Sequence, residues 1–367
     1  MYKTLFLDNQ IGLFTPDKNR GIRRYFNELC LVRESLNFNI SVPKLNLFGS
    51  SVEDSPNRIT YLEEKFNAGV TSRFWFKANV FESALRSKIN DLTMPSFYFP
   101  EYLEKYLENS SRLILPVYDM IPELFSNEYP ELNTAHAAKS EYLKFAEIVI
   151  CISEETKFDL VTFFPSLSAN QIEVIEPFFK LPDSAKLLSF FGSKSVEETN
   201  SLQLLHIGDR SFYKNFSEVA EAVISANMVT NLRVVGGGSP TPLELGLALR
   251  AQENGNSIIF LGSISDDDLE NEYHKADFTV IGSRKEGFGF AFVESLTRGT
   301  PVIARSPNMW GEFPFVISQI KLNFDDDQIL EMKSTAISSS NVIELWDRLN
   351  LVRTNSLDKL NILFGGL

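Results

Sequence analysis

The feature that most restricts the fold of this chain is an alternation of short β-rich apolar runs with longer amphipathic stretches. Candidate strands are Thr4–Leu7, Asn39–Val42, Ser96–Phe99, Leu113–Val117, Ile148–Ile152 and Glu173–Ile175. They continue with Leu202–Ile207, Leu232–Val235, Ser257–Leu261, Phe278–Ile281 and Pro301–Ala304. Helix-like spacing falls in Tyr25–Glu34, Ala135–Phe145, Ser217–Ala226, Pro242–Asn254, Asp267–Lys275 and Phe292–Arg298. A strand that is apolar throughout must be covered on both faces, so the alternation predicts parallel sheets with helices outside. The pattern weakens between about Phe178 and Ser201, where Pro182-Asp183-Ser184 and Gly192-Ser193-Lys194-Ser195 punctuate a polar stretch. The expected fold class is α/β, with two Rossmann-like doubly wound parallel-sheet domains facing a cleft. Their expected extents are 1–180 and 201–341, joined by a linker at 181–200. Val342, Leu345, Trp346, Leu349 and Val352 mark one face of a final helix, over about 342–367, expected to pack back on the first domain.

Charge and cysteine content narrow the function classes. With 48 acidic and 35 basic residues the net charge is −13, which repels phosphate backbones at long range and argues against a nucleic-acid partner. A local basic pocket for a small phosphorylated ligand stays compatible with that charge. Cys30 and Cys151 are the two cysteines, too few and too far apart for a disulfide framework or a cysteine zinc site. Two such thiols fit a reducing cytosol. Met1–Asp8 meets a carboxylate after three apolar residues and reads as a strand rather than a secretory signal. No run of about 18 apolar residues is present to span a bilayer. The expected location is therefore cytoplasmic, with peripheral contact at the inner face of the membrane left open.

Ligands of doubly wound sheets bind beyond the carboxyl ends of the strands, so the loops that follow strands carry the most information. Ser283-Arg284-Lys285-Glu286-Gly287-Phe288-Gly289-Phe290-Ala291-Phe292-Val293-Glu294 follows the strand Phe278–Ile281 and runs into a helix. Gly287 and Gly289 bracket Phe288, which lets the backbone turn tightly and present N–H groups to an anion near the helix start. Glu286 and Glu294 can point to the same region, and carboxylates beside a phosphate site suit recognition of vicinal hydroxyls. The same pattern also describes an ordinary glycine turn at a strand–helix joint. His206-Ile207-Gly208-Asp209-Arg210-Ser211-Phe212-Tyr213-Lys214-Asn215 follows the strand Leu202–Ile207. Arg210 and Lys214 bring two cations to an acidic chain, where they can neutralise charge on a departing diphosphate; the alternative is a basic surface loop.

These motifs, with Val234-Val235-Gly236-Gly237-Gly238, Phe260-Leu261-Gly262 and Gly299-Thr300-Pro301-Val302-Ile303, occur in an order that resembles a known family. It is the retaining, nucleotide-sugar-dependent glycosyltransferases of the GT-B fold with a Glu-x7-Glu motif (family 4, glycosyl transferases group 1). Gly21-Ile22-Arg23-Arg24-Tyr25, similar to the family's amino-terminal glycine loop, Val117–Pro122 and Ile150–Thr156 extend the likeness into the first half. The resemblance implies that Arg210 and Lys214 hold the donor diphosphate and that Glu286 contacts the donor sugar. Gly287, Phe288 and Gly289 would line the phosphates and sugar with backbone N–H groups, and Glu294 would bind the ribose. Ile264 would lie near the nucleobase, and Gly21 would leave room for the donor on the opposite wall. Tyr118 and Asp119 would stand on the acceptor side, although many members have His-Asp there and a tyrosine cannot act as an imidazolium. The proline usual in the Glu-x7-Glu loop is replaced by Ala291.

The resemblance thus implies sugar transfer from a nucleotide-sugar donor to a glycan or lipid-linked acceptor, as in surface polysaccharide synthesis, with no cofactor and no metal. A nucleotide-sugar epimerase, a phosphorylase of the same fold and a non-catalytic nucleotide-sugar-binding protein are the alternatives. Asp266-Asp267-Asp268 and Asp325-Asp326-Asp327 contain the metal-binding pattern Asp-x-Asp, but Ser265 and Asp325 are placed to start helices. His136, His206 and His274 share no ligand spacing. Gly236-Gly237-Gly238 is a weak hint of dinucleotide binding, and no Gly-x-Ser-x-Gly elbow is present. Phe74-Trp75-Phe76 reads as packing rather than as an exposed patch for an acceptor or a membrane.

Overall fold

The computed structural model describes residues 4–8, 20–41, 46–47, 50–51, 92–98, 100–108, 112–128, 138–193, 201–210, 212–305, 310–334 and 337–365. The chain divides into two units, Met1–Phe178 with Arg353–Leu367, and Phe179–Val352. The strands of the first unit are β1 (Thr4–Asp8), β2 (Asn39–Ser41), a short antiparallel ribbon of β3 (Asn46–Leu47) and β4 (Ser50–Ser51), β5 (Leu92–Pro95), β6 (Arg112–Val117), β7 (Ala146–Cys151) and β8 (Ile172–Val174). Six of them form a parallel sheet in the order β2-β1-β5-β6-β7-β8. β6 and β7 are buried on both faces, as their continuous apolar runs require. Leu113, Leu115 and Val117 pack with Tyr142, Val149 and Leu160 in one core. Ser153 begins the helix Glu154–Phe163 by accepting a hydrogen bond from the Thr156 N–H at 3.1 Å.

The final helix runs Ser339–Gly365. Its last turns belong to the first unit, where Phe364 lies with its ring 4.8 Å from that of Phe38. Lys359 donates to the Val174 carbonyl at 2.9 Å, and the Asn37 N–H donates to Asn361 at 2.8 Å. Among the described residues, no helix is long and apolar enough to cross a membrane.

The second unit holds β9 (Ser201–Ile207), β10 (Val229–Val235), β11 (Ser257–Gly262), β12 (Phe278–Ile281), β13 (Val302–Ala304) and β14 (Val316–Ser318). Its parallel sheet has the order β11-β10-β9-β12-β13-β14. The chain winds outward from β9 to β11, then crosses back so that β12 pairs with the other side of β9, Phe278 opposite Leu204. At this reversal the chain leaves β9 towards β10 and β12 towards β13, on opposite sides, and a doubly wound sheet opens its ligand crevice there. The helix Pro242–Glu253 starts on a capping box: Thr241 accepts from the Glu244 N–H, while Glu244 accepts from the Thr241 N–H.

Several expectations need correction. Gly21 is not in a loop; it is the second residue of the helix Arg20–Leu31. Ile22, Tyr25, Phe26 and Leu29 place one helical face on the core, and that face pulls the helix back through a glycine whose cost is small in a first turn. The expected strand Ser96–Phe99 lies earlier, at Leu92–Pro95. The stretch expected as linker contains the helix Ser184–Gly192, capped by Asp183 and buried through Leu187 and Phe191; residues 194–200 lie outside the described residues. Ser265 caps the helix Asp266–Lys275 as expected. Asp325 does not cap: its carboxylate binds the N–H groups of Asn227 and Met228, and Asp326 accepts from the Gln328 N–H instead. Phe74-Trp75-Phe76 also lies outside the described residues.

Candidate functional site

The two loops flanking the β9/β12 reversal meet. After β9 the chain passes Arg210 and makes a tight turn at Phe212–Lys214. Asn215 follows in the left-handed region (φ 54°), a conformation asparagine tolerates better than most residues, and its side-chain amide donates to Glu218 at 2.6 Å. From the other side, Gly282 follows β12 at close quarters. A Cβ there would stand 2.6 Å from Val219 Cγ2 and 3.1 Å from the Lys214 carbonyl oxygen. The Arg284 N–H then donates to the Tyr213 carbonyl at 2.8 Å, closing one loop on the other.

This approach brings Lys214 to Glu286. The ammonium lies 2.8 and 3.1 Å from the two carboxylate oxygens, and Ser283 donates to one of them at 2.5 Å. The two side chains are 21% and 16% exposed, so water screens the pair only partly. Burial works to discharge Lys214, but the Glu286 carboxylate outweighs it and raises its pKa above the ordinary ammonium value. The site therefore holds a lysine charged at neutral pH. Behind it His206 is buried, and burial together with Lys214 lowers its pKa to about 4, which keeps the imidazole neutral.

The loop after Glu286 is held from beneath. Gly289 takes φ 81° and leads into the helix Phe290–Leu296. The Phe288 ring is buried, 5.1 Å from Trp310 and 5.3 Å from Phe290, and the Trp310 N–H donates to the Phe288 carbonyl at 2.6 Å. Phe288 thus anchors the loop by its buried side chain. Glu294 accepts from the Tyr273 hydroxyl at 2.9 Å, which fixes the direction of its carboxylate. Ile264 packs against the cluster of Leu205, Val235, Tyr273 and Ala276, just after Gly262 at the end of β11.

Arg210 takes a different course from Lys214. It pairs with Glu244 at 2.6 Å and donates to the carbonyls of Gly236, Gly237, Gly238 and Ser239. Burial opposes ionisation of Glu244, and the bonds from Arg210 and Thr241 overcome it, holding its pKa below the ordinary value.

Gly21, Tyr118 and Asp119 belong to the first unit. The Tyr118 hydroxyl is turned inward, donating to the Ser96 carbonyl at 3.0 Å, and its ring meets Tyr25 edge-on. Asp119 accepts from the Ile121 N–H at 3.0 Å. Its carbonyl accepts from Lys139, a fully buried lysine whose ammonium also pairs with Glu123 at 2.9 Å. Lys139, Glu244, Tyr273, Gly282, Ser283 and Trp310 were not candidates from sequence. Gly282-Ser283 directly after β12 and the Thr241-x-x-Glu244 pattern were the available signals; for the others, proximity alone reveals the role.

A charged lysine beside a carboxylate, at the strand ends of a doubly wound sheet, can hold a phosphate and a hydroxyl side by side. Residues 191–313 match the family model of glycosyl transferases group 1. Over 131 residues the chain is 33% identical to the alpha-monoglucosyldiacylglycerol synthase of Streptococcus pneumoniae, a stretch covering 35% of this chain and 29% of that protein. Similar solved structures include sucrose-phosphate synthase from Thermosynechococcus elongatus, with TM-score 0.63 and 15% identity over the whole of both chains. The lipopolysaccharide outer core galactosyltransferase WaaB in its apo form gives 0.59 and 12%, again over both whole chains. Anabaena HepE in complex with UDP-glucose gives 0.56 and 15% over 100% of this chain and 99% of that one. The chain therefore has the GT-B fold, and its residues 191–313 are similar to the domain of glycosyl transferases group 1.

Proposed function

We propose that the chain is a retaining glycosyltransferase that moves a sugar from a nucleotide-diphosphate sugar to a hydroxyl of a glycan or lipid-linked acceptor, in surface polysaccharide synthesis. The observation that carries this reading is the Lys214–Glu286 pair, built from the two loops that flank the strand-order reversal. On this reading the bond between the anomeric carbon and the diphosphate oxygen breaks with its electron pair remaining on that oxygen. Lys214 stabilises the charge that develops there, the kind of preorganised electrostatic help that lowers a barrier most. The acceptor oxygen bonds to the anomeric carbon on the face that is vacated, and its proton passes to an oxygen of the leaving phosphate. Glu286 accepts a hydrogen bond from a donor-sugar hydroxyl, Glu294 from the ribose, and backbone N–H groups of Gly287–Gly289 face the phosphates and sugar. No step calls for a metal or a cofactor.

Anabaena HepE was crystallised with UDP-glucose, which makes that sugar nucleotide the first donor to try. A ligand that binds the native state raises apparent stability, so a thermal-shift screen of UDP-, GDP-, ADP- and dTDP-sugars should single out the donor. Lys214→Ala and Glu286→Ala should each abolish most transfer while the protein stays folded, and NMR of the product should show the donor's anomeric configuration. Near-normal transfer by both variants would refute the assignment of roles. Donor binding with neither transfer nor slow donor hydrolysis would favour a non-catalytic binding protein.

A further inference from the structure

We propose that Arg210 is a positioning residue that pins the Gly236–Ser239 turn, and that the diphosphate depends on Lys214 as its side-chain cation. The family resemblance assigns Arg210 to the diphosphate; the geometry of its guanidinium points elsewhere. The inference rests on the donor-site reading for what is positioned, but not for the pin itself.

Each nitrogen of the guanidinium meets at least one acceptor. Nε faces Glu244 Oε1 at 2.6 Å, Nη1 faces the Gly236 carbonyl at 2.6 Å, and Nη2 faces the carbonyls of Gly237, Gly238 and Ser239 at 3.0, 3.2 and 3.1 Å. One face of the group lies 5.2 Å from the centre of the Phe260 ring, and the side chain is 4% exposed. To reach a phosphate it would have to leave a carboxylate that is itself 12% exposed, together with four carbonyls. The Glu244 carboxylate and the Gly236 carbonyl are partly buried, so stranding them is costly, whereas the exposed carbonyls of Gly237, Gly238 and Ser239 can turn to water. The turn is shaped to the arginine in return. Gly236, Gly237 and Gly238 have φ of 90°, 71° and 72°, the left-handed region that glycine alone enters freely. A Cβ at Gly237 would collide with Arg210 Nη1. With its carbonyls directed at a cation, this glycine run has the wrong polarity to cradle a phosphate.

The pin joins three strand ends. Arg210 follows β9, and the Gly208 N–H donates to the Val235 carbonyl at the end of β10. The Gly236 N–H donates to the Gly262 carbonyl at the end of β11, beside Ile264. Glu244 uses its second oxygen on the Thr241 N–H at 2.7 Å, so the same carboxylate fixes the start of the next helix. The floor beneath a nucleoside is thereby tied to one side chain.

The test compares Arg210→Ala, Glu244→Gln and Lys214→Ala with the wild-type chain. Affinities for uridine, UMP and UDP are measured by NMR titration, and amide hydrogen exchange is measured without ligand. Arg210→Ala should weaken all three ligands by a similar factor, roughly tenfold or more, because a displaced loop misplaces the whole ligand. Glu244→Gln should do the same more weakly. Lys214→Ala should spare uridine and weaken UDP most. Exchange in Arg210→Ala should quicken at 208–210, 236–241 and 262–264 and stay unchanged in β12–β14. A loss that grows from uridine to UDP in Arg210→Ala would make it a phosphate ligand and overturn the proposal. Lowered stability with all three affinities intact, or unchanged exchange at these segments, would overturn it as well. If the wild-type chain binds no nucleotide of any base, the donor-site reading fails, and the exchange comparison alone decides the pin.

Discussion

Replacing Lys214 by Met removes the cation from Glu286 while keeping much of the stem's volume, and the structure sets the size of the effect. At 2.8 Å the gross attraction is about 6 kcal/mol at an effective dielectric constant of about 20. The net effect is smaller, because the variant no longer has to desolvate an ammonium and water reaches part of the carboxylate. Exposed pairs contribute about 0–1 kcal/mol, and breaking a fully buried pair costs about 3–5 kcal/mol. At 21% and 16% exposure the pair lies between these limits, and among the described residues Ser283 alone continues to serve Glu286. Lys214→Met should therefore destabilise the chain by about 2 kcal/mol. The double variant Lys214→Met/Glu286→Gln should recover more than half of that loss, since the stranded charge is gone. Equilibrium urea unfolding of the four proteins at pH 7, without ligand, gives the coupling free energy, expected at about 1–2 kcal/mol. At saturating donor, kcat of Lys214→Met should fall on the order of a hundredfold or more. A coupling energy within about 0.3 kcal/mol of zero would show that the pair does not form in solution, and the site's electrostatics would have to be drawn again.

Further outcomes follow from single contacts. Gly282→Ala drives a methyl to 2.6 Å from Val219 and 3.1 Å from the Lys214 carbonyl; it should cost about 1–3 kcal/mol in urea melts and lower transfer by shifting Lys214. Trp310→Phe loses the bond to the Phe288 carbonyl, which leaves a buried acceptor unmet at a cost of about 1–3 kcal/mol; kcat/KM should fall as the Glu286 loop loosens. His206 titrates near 6.5 when unfolded and at about 4 when folded, so the unfolded chain binds its proton more readily. Its contribution is complete above about pH 6.5 and lost as pH falls towards about 4, roughly 3 kcal/mol in all. Comparing stability of wild type and His206→Met across that window should show a shallower slope in the variant; equal slopes would contradict the neutral buried imidazole.

The alternation of strand and helix was legible because an apolar run buried on both faces leaves few architectures open, and both sheets are parallel as that requirement dictates. The Lys214 and Glu286 loops were also legible. Their glycines and charges follow strands directly, and a doubly wound sheet collects its loops at one edge. Gly21 shows the limit of reading by resemblance: likeness to a family's glycine loop placed it in a loop, but the apolar face formed by Tyr25, Phe26 and Leu29 draws it into a helix. Tyr118 carries a hydroxyl suited to a ligand, yet the Ser96 carbonyl takes it.

The sequence by itself determined the α/β class, the two charged loops that hold Lys214 and Glu286 and the sign of their charges, because these follow from periodicity and residue type along a few neighbouring positions. Only the tertiary structure decided partners. Arg210 and Lys214 are four residues apart and chemically alike, but one meets Glu244 and a ring of carbonyls and the other meets Glu286. Which acceptor each cation finds depends on the order in which distant strands are laid side by side, a long-range choice that no local pattern encodes.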